Sequence, residues 1–308
     1  MTTALITHSD CLAHAVPDGH PERPARLEAV LHALEGKALL QEEAPLATDA
    51  QLRRVHPQAY IDALEAMMPA LGGVPIDGDT WVSPGSMRAA RRCAGGAIRG
   101  VDMVMQGAAH NAFVATRPPG HHAERSQAMG FCLLGSIAAA ALHAADHHGL
   151  SRVAIIDFDV HHGNGTQDMV WDDARIMYLS AHQMPLFPGT GDPSETGSTG
   201  NVHNIALRSG AGSAEFRAAM TGAILPAAHA FAPELVLVSA GFDGHRADPL
   251  AGLMLAEADF GWVTGALCDL VDAQCGGRLV SCLEGGYDLQ SLAASTAVHV
   301  DVLIARGG

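Results

Sequence analysis

The sequence predicts an α/β fold with a mostly parallel central sheet flanked by helices, and three observations carry that prediction. Four apolar runs, AFVAT at 112–116, VAIID at 153–157, LVLVS at 235–239 and LVSCL at 279–283, are rich in Val, Ile and Leu and lack polar alternation. Such runs read as strands buried on both faces, the situation of strands in a parallel sheet. The stretches between them carry helix-like spacing. Each run also ends in residues that bind metal or move protons, and in open α/β sheets ligands gather beyond the carboxyl ends of the strands.

Taken in order, residues 18–24 (DGHPERP) form a loop that feeds a helix, with Leu27, Val30, Leu31 and Leu34 at helical spacing up to residue 35. The Pro- and Gly-rich segment 74–85 reads as a loop, and 86–106 as a small-residue helix suited to close packing on a sheet. An Ala-rich helix is expected over 131–147 and a shorter one over 165–171. Segment 187–200, FPGTGDPSETGSTG, is a long loop of the kind that is usually functional, and it is placed at the mouth of the site. Helices over 213–230 and 256–273 lead into the last two strands. No linker interrupts the series, so residues 1–308 are expected to form a single domain.

Composition excludes several classes. With 48% hydrophobic and 17% charged residues the chain can bury a sizeable core and is not disordered. A net charge of −15 argues against a general nucleic-acid binder, which needs a basic surface. No basic-then-apolar leader and no membrane span is readable. The six cysteines contain no C-x-x-C pair and read as buried, reduced thiols of a cytoplasmic protein.

The chemistry centres on 157–162, DFDVHH. Alternation along a strand end puts Asp157, Asp159 and His161 on one side, where two carboxylates and an imidazole must meet a cation or protonated partners. Asp159, His161 and Asp243 supply three N/O ligands and leave positions open for water and substrate. The plainer alternative is a hydrogen-bonded polar cluster. Asp157 sits behind the site, where it orients a neighbouring histidine or holds a second, hard cation. The pair His121-His122 follows a stiff Pro-Pro-Gly turn and is suited to proton transfer, whereas His147-His148 is assigned to a solvated helix end. Tyr287, after Glu284-Gly285-Gly286, is placed to meet a developing oxyanion, with a packing tyrosine as the alternative. Gly130-Phe131 and Phe187-Pro188 together wall a narrow apolar channel.

These residues resemble a known family. The motifs HPERPARL, RPPGHHA, GFCLL, DFDVHHGNGTQ, FPGTGDPSETG, SAGFDGHRADPLAG and LEGGYD occur in the order found in the zinc-dependent histone deacetylases. The EGGY and HHGNGTQ forms are more similar to the class II branch and its bacterial relatives, the deacetylase-like amidohydrolases. The resemblance implies the arginase/deacetylase fold, three layers around an eight-stranded, mostly parallel sheet. It implies zinc on Asp159, His161 and Asp243, although so oxygen-rich a set also accepts Fe2+, Co2+ or Mn2+. It makes His122 the general base and acid, His121 its electrostatic helper oriented by Asp157, and Tyr287 the group that polarises the carbonyl.

By the same resemblance Phe131 and Phe187 sandwich an acyl-lysine chain and Gly130 accepts its amide hydrogen bond. Asp157, Asp159, His161 and Ser180 match a structural potassium site. Arg26 matches an arginine near an internal cavity for product acetate, and Asp79 a rim residue that holds the substrate backbone. Asn164 stands where the class I branch has an aspartate, which should change the His122 pKa. Leu250 stands where polyamine-preferring relatives place a glutamate. The expected activity is hydrolysis of an acylated lysine peptide or small acylated amine, with no nucleic acid or membrane as partner. The alternatives are an acetylpolyamine amidohydrolase and a non-catalytic acyl-lysine reader.

Overall fold

Eight strands form one sheet in which every neighbouring pair is parallel. The structure, a computed structural model, describes residues 2–307. The sheet strands are β1 (Thr3–Thr7), β2 (Leu39–Glu43), β5 (Asn111–Val114), β6 (Val153–Asp157), β7 (Ile176–Gln183), β8 (Val202–Leu207), β9 (Leu235–Ala240) and β10 (Leu279–Leu283). A separate two-residue hairpin, β3 (Val74–Pro75) with β4 (Trp81–Val82), lies inside the segment read as loop.

The sheet order is β2-β1-β5-β10-β9-β6-β7-β8. The four apolar runs are therefore its four central neighbours, β5, β10, β9 and β6. Consecutive strands β5 and β6 stand apart, with the later β9 and β10 inserted between them. This brings four carboxyl ends together over one crevice. Their side chains alternate between two cores. Phe113, Ile156, Val236 and Val238 pack into one cluster, with α1 (Pro24–Ala33), α9 (Glu257–Cys275) and α10 (Leu289–Arg306) supplying Leu27, Phe260 and Val300. Val114, Ile155, Leu237 and Val280 pack into the other, against Ala97 and Ile137 of α4 (Ser86–Met105) and α5 (Ser136–His147). The result is the expected three-layer arginase/deacetylase architecture.

The remaining helices are α2 (Asp49–Leu52), α3 (Gln58–Ala66), α6 (Asn164–Val170), α7 (Ser213–Ala219) and α8 (Leu225–Phe231). Two expected helices differ in extent. The one read from residue 131 starts at Ser136, because Gly130 and Phe131 take φ of 56° and 68°, outside the helical region. The one read as 213–230 is interrupted by a π-helical turn, Met220–Ile224, and stops where Ala232 turns left-handed. All six cysteines are free and buried. Among the described residues no helix is long and apolar enough to cross a membrane.

Candidate metal centre and catalytic pocket

Asp159 and His161 leave the end of β6, and Asp243 leaves the end of β9, its neighbour in the sheet. All three are buried, with one ligand atom of each within 4.8 Å of the others. His161 Nδ1 lies 3.2 Å from Asp159 Oδ1 and 3.1 Å from Asp243 Oδ2. These separations match the edge of about 3.3 Å that a tetrahedral ion makes with bonds of about 2.0 Å. Backbone amides hold the carboxylates from behind: Val160 N donates to Asp243 Oδ1 (2.9 Å), His161 N to Asp159 Oδ1 (2.9 Å) and Gly285 N to Asp159 Oδ2 (2.8 Å).

The charge balance makes the same demand. Burial pushes Asp243 up to about 7, reinforced by the charge of Asp159. Asp159 itself is held low, because the neighbouring His121 and His161 outweigh its burial. Burial would lower His161, yet the two carboxylates hold it at about 10. Two carboxylates and an imidazole in so dry a site fit a divalent cation with one nitrogen and two oxygen donors.

The histidine pair follows β5. His121 Nδ1 is 3.1 Å from Asp157 Oδ2, and its ring lies 4.0 Å from that of His122. Burial works against protonation of His121, but Asp159 and Asp157 prevail and hold it at about 10, so it is a cation beside the carboxylates. His122 is driven the other way, well below its usual range, by burial and then by the charges of His121 and His161. It is therefore neutral. Its Nδ1 is 2.9 Å from Asn164 Oδ1, and Asn164 Nδ2 donates to Glu124 Oε1 at 2.8 Å. With the amide oriented in this way, His122 Nδ1–H must donate, which leaves Nε2 as the basic nitrogen.

Glu284, which the sequence reading gave no role, accepts hydrogen bonds from Gly120 N (2.7 Å) and His121 N (3.2 Å) and fixes the histidine turn. Tyr178, also missed, donates to Asp157 Oδ2 at 3.1 Å. The signal for Glu284 was present in LEGGYD. Tyr178 sits inside an apolar run and gave none.

A cavity of about 430 Å³ opens over this cluster, lined by His122, His161 and Tyr287 together with the expected Gly130, Phe131, Phe187, Leu250 and Asp79. Phe131 meets Tyr287 edge-on at 5.7 Å, and Phe187 meets His122 at 5.0 Å, so the two rings form different walls. His20, Pro21 and Leu186 also line the cavity and were not foreseen. His20 stands edge-on to Phe131 at 5.0 Å, and its Nε2 lies 2.8 Å from the Asp79 carbonyl oxygen, which pins the rim loop.

Arg26, matched by resemblance to an arginine near an internal acetate cavity, lies outside the lining of this pocket. Its guanidinium is taken up by the Gly286 and Glu284 carbonyls and by Glu22, and lies 4.7 Å under the Tyr287 ring. It thus clamps the tyrosine turn. Glu22 in turn receives Arg117 Nη2 at 2.8 Å, a buried ion cluster linking the first loop to the histidine turn. Ser180 stands beside Asp157 in the β6–β7 register, with its Oγ 2.9 Å from His182 Nδ1.

The model of the histone deacetylase domain matches residues 20–303. The chain belongs to the histone deacetylase family. It is 41% identical over 277 residues to a histone deacetylase-like amidohydrolase of Pseudomonas aeruginosa, covering 87% of this chain and 73% of that protein. It is 39% identical over 304 residues to the chloroplastic histone deacetylase 10 of Oryza sativa, covering 91% and 68%. The crystal structure of the HDA15 HD domain superimposes with a TM-score of 0.93 at 36% identity, covering 99% of this chain and 89% of that one. As a histone deacetylase-family protein the chain is a hydrolase of the deacetylase and amidohydrolase kind.

Proposed function

We propose that this chain hydrolyses the N-acyl amide of a lysine side chain in a peptide, or of a small lysine-like amine, with a zinc ion on Asp159, His161 and Asp243. The observation that carries this reading is a neutral His122 beside the three-ligand cluster, its Nδ1 committed to Asn164, in the same cavity as Tyr287. When bound, zinc polarises a carbonyl and acidifies water.

The chain's own residues do the rest. His122 Nε2 takes the proton of the attacking water and returns it to the departing amine. The Tyr287 hydroxyl donates to the oxygen on which negative charge develops, and the Arg26 clamp beneath its ring fixes where that donor points. The cationic His121, bound to Asp157, stabilises the anionic intermediate. Phe131 and Phe187 wall the methylenes of the substrate, the Gly130 carbonyl accepts its amide N–H, and Asp79 holds its backbone at the rim. Asp157 and Ser180 contribute to a structural potassium site behind the metal centre. Leu250 gives the wall an apolar surface with no carboxylate for a distal ammonium, which favours acyl-lysine over acylated polyamines.

The test measures turnover on a panel of acylated lysine peptides and polyamines, using protein whose metal content is known. Peptide turnover should exceed polyamine turnover. His122→Ala should lose about 10²–10⁴-fold in kcat and Tyr287→Phe about 10²–10³-fold, both with metal retained. Full activity in either variant would refute the assignment.

A further inference from the structure

We infer that Asp102, His143, His147 and His148 form a second transition-metal site, for Cu2+, Ni2+ or Zn2+, that fastens α4 to α5 away from the catalytic pocket. The pair His147-His148, read from sequence as a solvated helix end, is not solvated throughout. His148 is half-buried, and its Nε2 and that of His143 both lie 2.8 Å from the same Asp102 oxygen. One ligand atom from each of the four residues lies within 4.8 Å of the others. The His143 and His147 rings, one helical turn apart, stack at 4.8 Å and 20°, and His148 stands edge-on to both.

His143 argues most strongly for a ligand. It is 95% buried in the small-residue packing between α4 and α5, where an apolar side chain would be the economical choice. Among the described residues its Nδ1 has no hydrogen-bond partner, so Asp102 is its single polar anchor, and because a carboxylate oxygen only accepts, that bond puts the proton on Nε2. An ion bound at Nε2 takes the place of that hydrogen, the proton shifting to the unpartnered Nδ1. Three imidazoles and one carboxylate suit the borderline first-row ions rather than Mg2+ or Ca2+. The 2.8 Å separations approach the edge of about 2.9 Å made by bonds of about 2.05 Å at right angles, the arrangement Cu2+ and Ni2+ favour. The bare Nδ1–H that metallation would leave on His143 weakens the site, so micromolar rather than nanomolar binding is expected.

Location fixes the role. The chain enters β6 directly after α5, so the end of α5 that carries the cluster lies at the amino edge of the sheet. The catalytic groups sit beyond the carboxyl edge. A bound ion there crosslinks two helices and takes no part in hydrolysis.

The test titrates Cu2+ into protein already carrying one equivalent of zinc, followed by calorimetry and electron paramagnetic resonance. Wild type should take up a second ion with hyperfine splitting from imidazole nitrogens. The double variant His147→Ala/His148→Ala should bind it at least tenfold more weakly and lose that splitting, with peptide turnover within twofold of wild type. Asp102→Asn should weaken binding likewise. Wild type that takes up no second ion at micromolar Cu2+, or a double variant that binds it unchanged, overturns the inference, and the wild-type measurement decides the matter even if a variant misfolds.

Discussion

At the residue scale the metal centre depends on positions where no side chain fits. A Cβ on Gly241 would fall on the Asp159 carboxylate, and one on Gly285 would fall between those of Asp243 and Asp159. These glycines are needed for close approach and not for backbone freedom. Gly285→Ala should displace both ligands and lower metal affinity about 10–100-fold, the scale of outer-sphere losses, read as metal retained per chain after dialysis. Retention equal to wild type would contradict the ligand set. The His122–Asn164–Glu124 chain supports a second prediction. Asn164→Asp brings negative charge to Nδ1 of His122, favours its protonated form and raises its pKa. Because the base must be neutral, the acid limb of kcat/KM should move to higher pH, by about one unit. A shift toward lower pH, or none, would show that this amide does not govern the base.

At the element scale, burial on both faces made the centre of the sheet legible. β5, β6, β9 and β10 are buried along their whole length and mostly apolar, whereas the outer strands β2 (LLQEE) and β8 (VHNIAL) are partly exposed and richer in polar residues and have no such signature. Compact motifs likewise betrayed the ligands and the histidine pair, all within a few residues of a strand end. Partners distant in sequence stayed hidden. Glu22 lies 95 positions from Arg117, and Asp102 lies 41 and 46 positions from His143 and His148. Helix α4 shows how packing overrides propensity. Replacing a mid-helix Gly with Ala ordinarily gains about 1 kcal/mol, but a Cβ on Gly95 would strike the Pro45 carbonyl oxygen, whereas one on Gly265 in α9 meets nothing within 4 Å. Gly95→Ala should therefore lower the urea midpoint and Gly265→Ala raise it, the latter by roughly 0.5–1 kcal/mol of stability. A higher midpoint for Gly95→Ala would show that the helix has room to shift.

Across the whole molecule, neutral buried histidines join separate layers and tie stability to pH. His56 accepts from Gly135 N at 2.9 Å and lies 3.0 Å from the Arg125 carbonyl oxygen, anchoring the loop between β5 and α5. His299 of α10 reaches Thr264 of α9 at 2.6 Å and Ser281 of β10 at 2.9 Å. Burial lowers His56 to about 4 and His299 to about 3, from 6.5. Between those values and 6.5 the unfolded chain binds more protons than the folded one, so stability is fully present above pH 6.5 and is lost as pH falls toward 4. At pH 5 each histidine should have removed about 2 kcal/mol, at 1.36 kcal/mol per pH unit. His299→Gln keeps a hydrogen-bonding group but cannot titrate, so its loss of stability between pH 7 and pH 5 should be smaller than that of wild type by about that amount. Protonation of the metal ligands acts on both proteins alike and cancels in the difference. Urea denaturation at the two pH values gives the comparison, and equal losses in the two proteins would mean that the layers are not held together by an uncharged imidazole.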